Sequence, residues 1–211
     1  MKSRYLYIIL VLFTLLGATA AAHVPFLEFK DYREGKPYVV RRMVEQSKAC
    51  YSWLEHDGVN PCEDIDIYKF VIKDRPINVY IELIGPVYED YYEDFVPWFA
   101  LVGPGLPDPG IELPFDIPCG YGAIVKENVE PGEERETFYE PFGGKSYYKG
   151  PVFEEEISVS GAYYVFVWDP HESGGDYVLV LGRKEIWLFA DILRALIFTP
   201  MIRMNLELHI I

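Results

Sequence analysis

The sequence predicts a mainly β protein, an antiparallel β-sandwich with a long Pro-rich insertion and a C-terminal helix, and three observations carry that expectation. Residues 161–182, GAYYVFVWDPHESGGDYVLVLG, place two runs of aromatic and β-branched residues on either side of a polar, Gly-containing break, the composition of a strand pair. Tyr163, Val165 and Val167 alternate there with Tyr164, Phe166 and Trp168, so neither face of the strand is built for water and both are expected to be covered. Residues 65–84 repeat the arrangement: an alternating run at 65–72, a turn at KDRP, and a second run in which Val79, Ile81 and Leu83 share a face. Each pair reads as a hairpin that needs another sheet against it. A wide apolar helical stripe comes last, at 185–198, and Thr199 with Pro200 is expected to end it.

At the start of the chain, residues 1–22 have the three parts of a secretory signal: Lys2 and Arg4, an apolar stretch from Tyr5 to about Leu16, and GATAAA with small Ala20 and Ala22 before a cut. The expectation is a chain beginning at His23, secreted or held at the extracytoplasmic cell surface. An uncleaved signal anchor that tethers it to the membrane is the alternative. Cleavage leaves 189 of the 211 residues, read as one sandwich domain over 23–182, with an insertion at about 104–152 and a helix and tail over 183–211. Residues 23–45 supply a leading strand, a linker and another strand; 47–54 is a short helix or strand; EHDGVNPCED is a turn. Trp98 opens an apolar strand to Gly103, and then Pro104, Pro107, Pro109, Pro114 and Pro118 mark an ordered loop or small lobe unsuited to a central ladder. A brief strand at 123–125, turns at EPGE and FGGK, and a strand at 153–159 complete the reading.

Acids outnumber bases 33 to 19, and the net charge of −14 becomes −16 once Lys2 and Arg4 are removed. That balance argues against nucleic acid and against non-specific attachment to an anionic membrane, and it suits a surface that meets cations. Cys50 and Cys62 are the expected disulfide, closing a loop around HDGVNP in an oxidising compartment, with Cys119 left over. Calcium is the expected cofactor: Asp64 and Asp66 beside the acidic turn, and Asp169 and Asp176 around the DPHESGG loop, supply hard oxygen ligands. Copper, held by the amino group and imidazole of a terminal His23 with help from His56, His171 or His209, is the weaker alternative.

Motifs for catalysis are missing. No G-x-S-x-G elbow surrounds any serine, and the GGKS at 143–146 lacks the earlier glycine of a phosphate-binding loop and reads as a turn. A secreted hydrolase using paired carboxylates is the alternative to a non-catalytic module. The aromatic residues of FYEPFGGKSYYKG, namely Tyr139, Phe142, Tyr147 and Tyr148, are the expected contacts for a cell-surface glycan or protein, on the premise that they are exposed. The C-terminal helix is expected to pack on the sandwich, with a membrane-surface contact as the other use of its apolar surface.

The aspartate-flanked run at 64–72, the Gly161, Tyr163 and Tyr164 approach and the Gly175, Asp176 and Tyr177 return resemble the prepeptidase C-terminal domain group of bacteria and archaea. That resemblance spans about half of the chain after 1–22. It implies a secreted β-sandwich of jelly-roll-like topology, a module of the kind appended to proteases and implicated in calcium-dependent substrate binding. The long Pro-rich stretch, the C-terminal helix and the lack of an attached protease depart from the group, so the resemblance speaks for the sandwich more than for an activity.

Overall fold

The computed structural model describes residues 23–27, 37–42, 46–55, 64–73, 76–88 and 92–204. Its strands are β1 (Val24–Leu27), β2 (Tyr38–Val39), β3 (Lys48–Leu54), β4 (Asp66–Ile72), β5 (Ile77–Pro86), β6 (Trp98–Pro104), β7 (Tyr121–Lys126), β8 (Thr137–Glu140), β9 (Lys145–Ile157), β10 (Gly161–Trp168) and β11 (Gly175–Leu181), and one C-terminal helix, α1 (Phe189–Met204), follows. They build sheet A, in the order β1-β3-β11-β5-β9-β8, and sheet B, in the order β2-β4-β10-β6-β7. Both sheets are mixed, because the edge strands β1 and β2 pair parallel with β3 and β4 while the interior pairs are antiparallel. In chain order a strand of the other sheet separates each parallel pair, so no hairpin forces the two to run in opposite directions.

The two expected hairpins are instead crossings between sheets. Strand β4 lies in sheet B and β5 in sheet A; β10 lies in sheet B and β11 in sheet A. A strand that is apolar on both faces is at home in the middle of a sheet, with a neighbour on each edge and a layer over each face. Strand β10 accordingly sits between β4 and β6, and β11 between β3 and β5. The Asp169 carboxylate shapes the crossing between them by accepting the backbone N–H groups of His171, Ser173 and Gly174 at 3.0, 2.7 and 2.9 Å. Glu172 and Gly174 take positive φ values of 59° and 64° there, a cost that falls mainly on the non-glycine residue. Strands β8 and β9 do form a hairpin, closed where Gly144 N–H donates to the Glu140 carbonyl at 2.9 Å.

Period-two alternation sorts the side chains into layers. Between the sheets lie Val79, Ile81, Leu83, Phe153 and Leu179 from sheet A against Phe70, Phe99, Leu101, Tyr163 and Val165 from sheet B. A polar brace crosses this core: Ser52 Oγ donates to Asp66 at 2.8 Å, the Tyr177 hydroxyl donates to the same carboxylate, and the Tyr68 and Tyr177 hydroxyls are 2.8 Å apart. Burial and the neighbouring Asp66 push the Tyr177 phenol well above its ordinary ionisation range. The satisfied network ties one sheet to the other and leaves its carboxylate no apolar contact to pay for.

The outer face of sheet B is closed by the Pro-rich segment. Phe115 stacks on Phe166 with centroids 4.0 Å apart and planes 10° apart, and meets Trp168 edge-on at 5.5 Å; Leu113 and Ile117 join the same cluster. Gly122 permits the segment to lie this close, since a Cβ there would sit 2.1 Å from the Leu106 carbonyl oxygen. Within the stretch read as an insertion at about 104–152, 105–120, 127–136 and 141–144 lie outside the strands, whereas β7, β8 and the first half of β9 are hydrogen-bonded into the sheets. Gly150 and Pro151, which imitate a turn in sequence, sit opposite the single residue Leu83 where the register of β5 and β9 shifts. A Cβ on Gly150 would approach the Leu83 carbonyl oxygen to 2.3 Å, so the pair forms a bulge that bends a continuous strand.

Helix α1 packs on the outer face of sheet A through Phe198, Met201 and Ile202. It starts later than expected, because Asp191 Oδ2 accepts the Leu188 N–H at 3.0 Å and fixes Leu188 as the cap. It also runs through Pro200 to Met204. Pro200 forfeits one helical hydrogen bond, but Arg203 holds the last turn by donating to the Phe142 and Pro141 carbonyls at 3.0 and 2.9 Å. At the other end Gln46 Nε2 donates to Asp191 at 2.5 Å and to the Ile186 carbonyl at 2.7 Å, and Lys48 donates to Gln46. Burial lowers the Lys48 pKa to about 8, with Asp191 acting in the opposite direction. Among the described residues no helix is long and apolar enough to cross a membrane.

Candidate functional site

A cleft of about 260 Å³ opens on the outer face of sheet A. Its floor is apolar: Ala49 of β3, Ile84 of β5, and Val178 and Val180 of β11 project outward because their neighbours along each strand fill the core. The β8–β9 hairpin forms one wall with Phe138, Tyr139 and Phe142, and Tyr51 and Tyr147 close the base. Glu82, Glu140, Glu185 and His23 also line it.

Each polar wall residue has a definite setting. Glu140 accepts the backbone N–H of Phe142 at 2.8 Å and that of Gly143, so the carboxylate that faces the cleft also shapes the hairpin turn. Glu82 receives the Tyr80 hydroxyl on Oε2 at 2.5 Å. Tyr51 and Tyr147 are buried; burial first and Glu140 second push the Tyr51 phenol above the usual range, against a lowering by Tyr147, while burial, Tyr51 and Glu140 push the Tyr147 phenol well above it. The Tyr147 hydroxyl makes no hydrogen bond of good geometry among the described residues. Burial first, and Arg183 second, lower the His23 pKa to about 4, so its imidazole is neutral at physiological pH.

The expected binding residues separate into two groups. Tyr139, Phe142 and Tyr147 share the cleft, but only Tyr139 matches the premise of exposure, at 63 %; Phe142 is 8 % and Tyr147 1 % exposed. Tyr148 does not line the cleft. It follows Tyr147 in β9 and so projects from the opposite face, where the Arg135 guanidinium lies 4.0 Å over its ring while donating to the Tyr92 and Phe95 carbonyls at 2.6 and 3.0 Å.

The four expected calcium ligands are also distributed. Asp66 is buried between the sheets in the tyrosine brace, while Asp176, fully buried, accepts the Tyr92 hydroxyl and lies on the same face of β11 as Val178. Asp169 serves the crossing loop, and Asp64 accepts the Glu55 backbone N–H. Among the described residues no three of His, Cys, Asp and Glu gather where a metal ion would be held. Residues 56–63, which carry the rest of the acidic turn, lie outside the described residues, and so does Cys62, with which Cys50 was expected to pair. Cys50 itself is buried in the core and Cys119 is exposed. For copper, His23 lies in the cleft, whereas His171 packs edge-on to Trp98 at 6.4 Å; His56 and His209 lie outside the described residues.

Sequence reading missed Tyr51, Glu82 and Glu185. Glu82 was nonetheless legible: it is the charged residue on the face of 77–84 opposite Val79, Ile81 and Leu83, which marks an outward position beside Tyr80 and Ile84. No protein-family model matches this chain, and no curated protein shows significant sequence similarity to it.

Proposed function

We propose that this chain is an exported, non-catalytic binding module whose ligand, a group on a cell-surface protein or glycan, seats in the sheet A cleft. The observation that carries the reading is the meeting of Tyr139, Phe142 and Tyr147 with Glu82, Glu140 and Glu185 around an apolar floor, the mixture of area and orienting polar groups that recognition sites use. Export rests on the composition of 1–22. A jelly-roll-like winding is supported by the orders β3-β11-β5-β9 and β4-β10-β6-β7; the Pro-rich insertion expected at about 104–152 and the likeness to the prepeptidase C-terminal group belong to the same reading. Calcium at the turn before Asp64 and Asp66 belongs to the same reading, and a calcium-dependent rise in melting temperature is its test. The deciding experiment is a screen of surface glycans and proteins with wild type and Tyr139→Ala. Capture by the wild type that the substitution weakens is the expected result; turnover of a screened glycan without capture moves the reading to the hydrolase.

A second reading concerns α1, whose outward side is apolar. Phe189, Ile197 and Met204 are 75 %, 63 % and 82 % exposed, and Leu193 and Leu196 lie between them. A helix apolar all round is ordinarily covered on both sides, and sheet A covers one. The exposed residues of α1 include Arg203 and no acid, so this one face lacks the acidity that turns the rest of the chain away from an anionic membrane, and it suits a lipid surface better than a second copy of this acidic chain. Co-sedimentation with phosphatidylserine-containing vesicles, lost in Phe189→Ser with Ile197→Ser, is expected. Equal recovery of wild type and variant with the vesicles would remove the reading.

A further inference from the structure

Building on the proposed binding site, we infer that the sheet A cleft receives one guanidinium group, the head of an arginine side chain presented by a partner protein. Size comes first. At about 260 Å³ the cleft falls below the range of about 300–1,000 Å³ typical of pockets for drug-sized ligands, so it holds one side chain or one ring and not an extended chain.

Charge then selects among such groups. Three carboxylates line the cleft and no Lys or Arg does. The neighbouring cations each have a partner of their own: Arg183 pairs with Glu154 at 2.7 Å and lies 4.0 Å over the Tyr80 ring, though its charge still reaches Glu82 and His23, Lys145 acts with Asp176, and Arg203 donates to the Pro141 and Phe142 carbonyls. His23, deprotonated by its burial, does not offset the carboxylates.

Donor and acceptor matching narrows the class further. A sugar hydroxyl offers a donor and an acceptor together, but the carboxylates of Glu82, Glu140 and Glu185 only accept. A guanidinium offers five donors and no acceptor, and Glu82 retains Oε1 beyond the oxygen that takes the Tyr80 hydroxyl. The aromatic walls decide between the two basic side chains: a planar guanidinium stacks on rings and meets a carboxylate in a fork, whereas an ammonium is a strongly hydrated point charge. The described residues already contain this contact three times, at Arg135 over Tyr148, Arg183 over Tyr80 and Arg194 over Phe26.

Calorimetric titration of the purified protein with Nα-acetyl-arginine amide and with its neutral isostere Nα-acetyl-citrulline amide tests the inference. The arginine probe is expected to bind about tenfold more tightly than citrulline, with the gap narrowing between about 20 and about 200 mM salt. Glu185→Gln and Glu82→Gln, each with an unchanged melting temperature, are expected to reduce arginine affinity about threefold to tenfold and to leave citrulline unaffected. Equal affinities for the two probes, or arginine binding indifferent to both substitutions, overturn the guanidinium assignment. If a neutral oligosaccharide then binds and Tyr139→Ala abolishes it, the cleft survives as a binding site; if no glycan, protein or probe binds, both readings fall.

Discussion

The outer faces of the two sheets start from the same problem and reach different ends. Both central strands, β10 and β11, are apolar on both sides, so the face turned away from the shared core needs a cover. Sheet B receives a coil whose Phe115 lies flat on Phe166 and whose close approach leaves the aromatic stack dry. Sheet A receives a helix and a hairpin that meet at Arg203 and the 141–142 carbonyls, and a cleft with three carboxylates in its walls stays open between the hairpin, the sheet and the chain at His23 and Glu185. The difference teaches that a continuous cover of irregular chain can follow a sheet surface, whereas a hairpin of fixed geometry leaves part of the sheet beside it uncovered. The first face is built for stability and the second has room for a ligand.

The sharpest way to break this contrast is to damage the sealed face. Phe166→Ala removes a buried ring from between Phe115 and the sheet and is expected to cost about 3–5 kcal/mol of stability, measured by urea unfolding, with cleft binding of the remaining folded protein unchanged. Loss of binding in parallel with stability would show that the two faces do not act separately.

A smaller effect is expected where the cover of sheet A is anchored. Asp191→Ala removes the acceptor shared by Gln46, the Leu188 N–H and Arg194, at about 1.5–3 kcal/mol for charged hydrogen bonds. Helix α1 should loosen first, so limited proteolysis should cut near 183–190 well before the sheets unfold. Simultaneous loss of both would contradict an independently anchored helix.

The pH dependence of stability separates the faces again, because His23 belongs to the cleft. Its folded pKa of about 4 lies below the ordinary value of 6.5, so between these values the unfolded chain binds a proton that the folded chain refuses. Stability therefore falls as pH drops from about 6.5 towards 4. The melting temperatures of wild type and His23→Gln, compared across that window, should show a shallower acid loss in the variant; identical slopes would mean that the imidazole is not buried as described.

Least disruptive of all is Tyr139→Ala, which removes a ring that is 63 % exposed and should leave stability within about 0.5 kcal/mol. Its effect belongs to binding, the reverse of the pattern expected for Phe166→Ala. A destabilisation comparable to that of Phe166→Ala would reassign Tyr139 from ligand contact to packing.

Much of this architecture was legible in the residues. Alternation in 65–72, 77–84 and 161–181 located four strands, and in 77–84 the shared face of Val79, Ile81 and Leu83, since period two is a local property of extended chain. The apolar outward face of β10 announced a second cover, and the wide stripe of 185–198 announced a helix with more apolar surface than one contact consumes. The mainly β class and the single terminal helix follow from such local facts.

What only tertiary structure decided is adjacency. Alternation states which way a side chain points and nothing about which strand lies beside it, so β4 with β5 and β10 with β11 looked like hairpins although each pair divides between two sheets. The bulge at Gly150 and Pro151 was not legible, because a bulge is defined by its partner, Leu83, and not by its own residues. Asp66 and Asp176 were read as oxygen ligands from local spacing, and nothing local reveals the Tyr177 and Tyr92 hydroxyls that reach them across the fold. The cleft itself joins Tyr51, Glu82, Tyr139 and Glu185 from four separate stretches, a meeting created by the packing of sheet, hairpin and chain end and encoded in none of them alone.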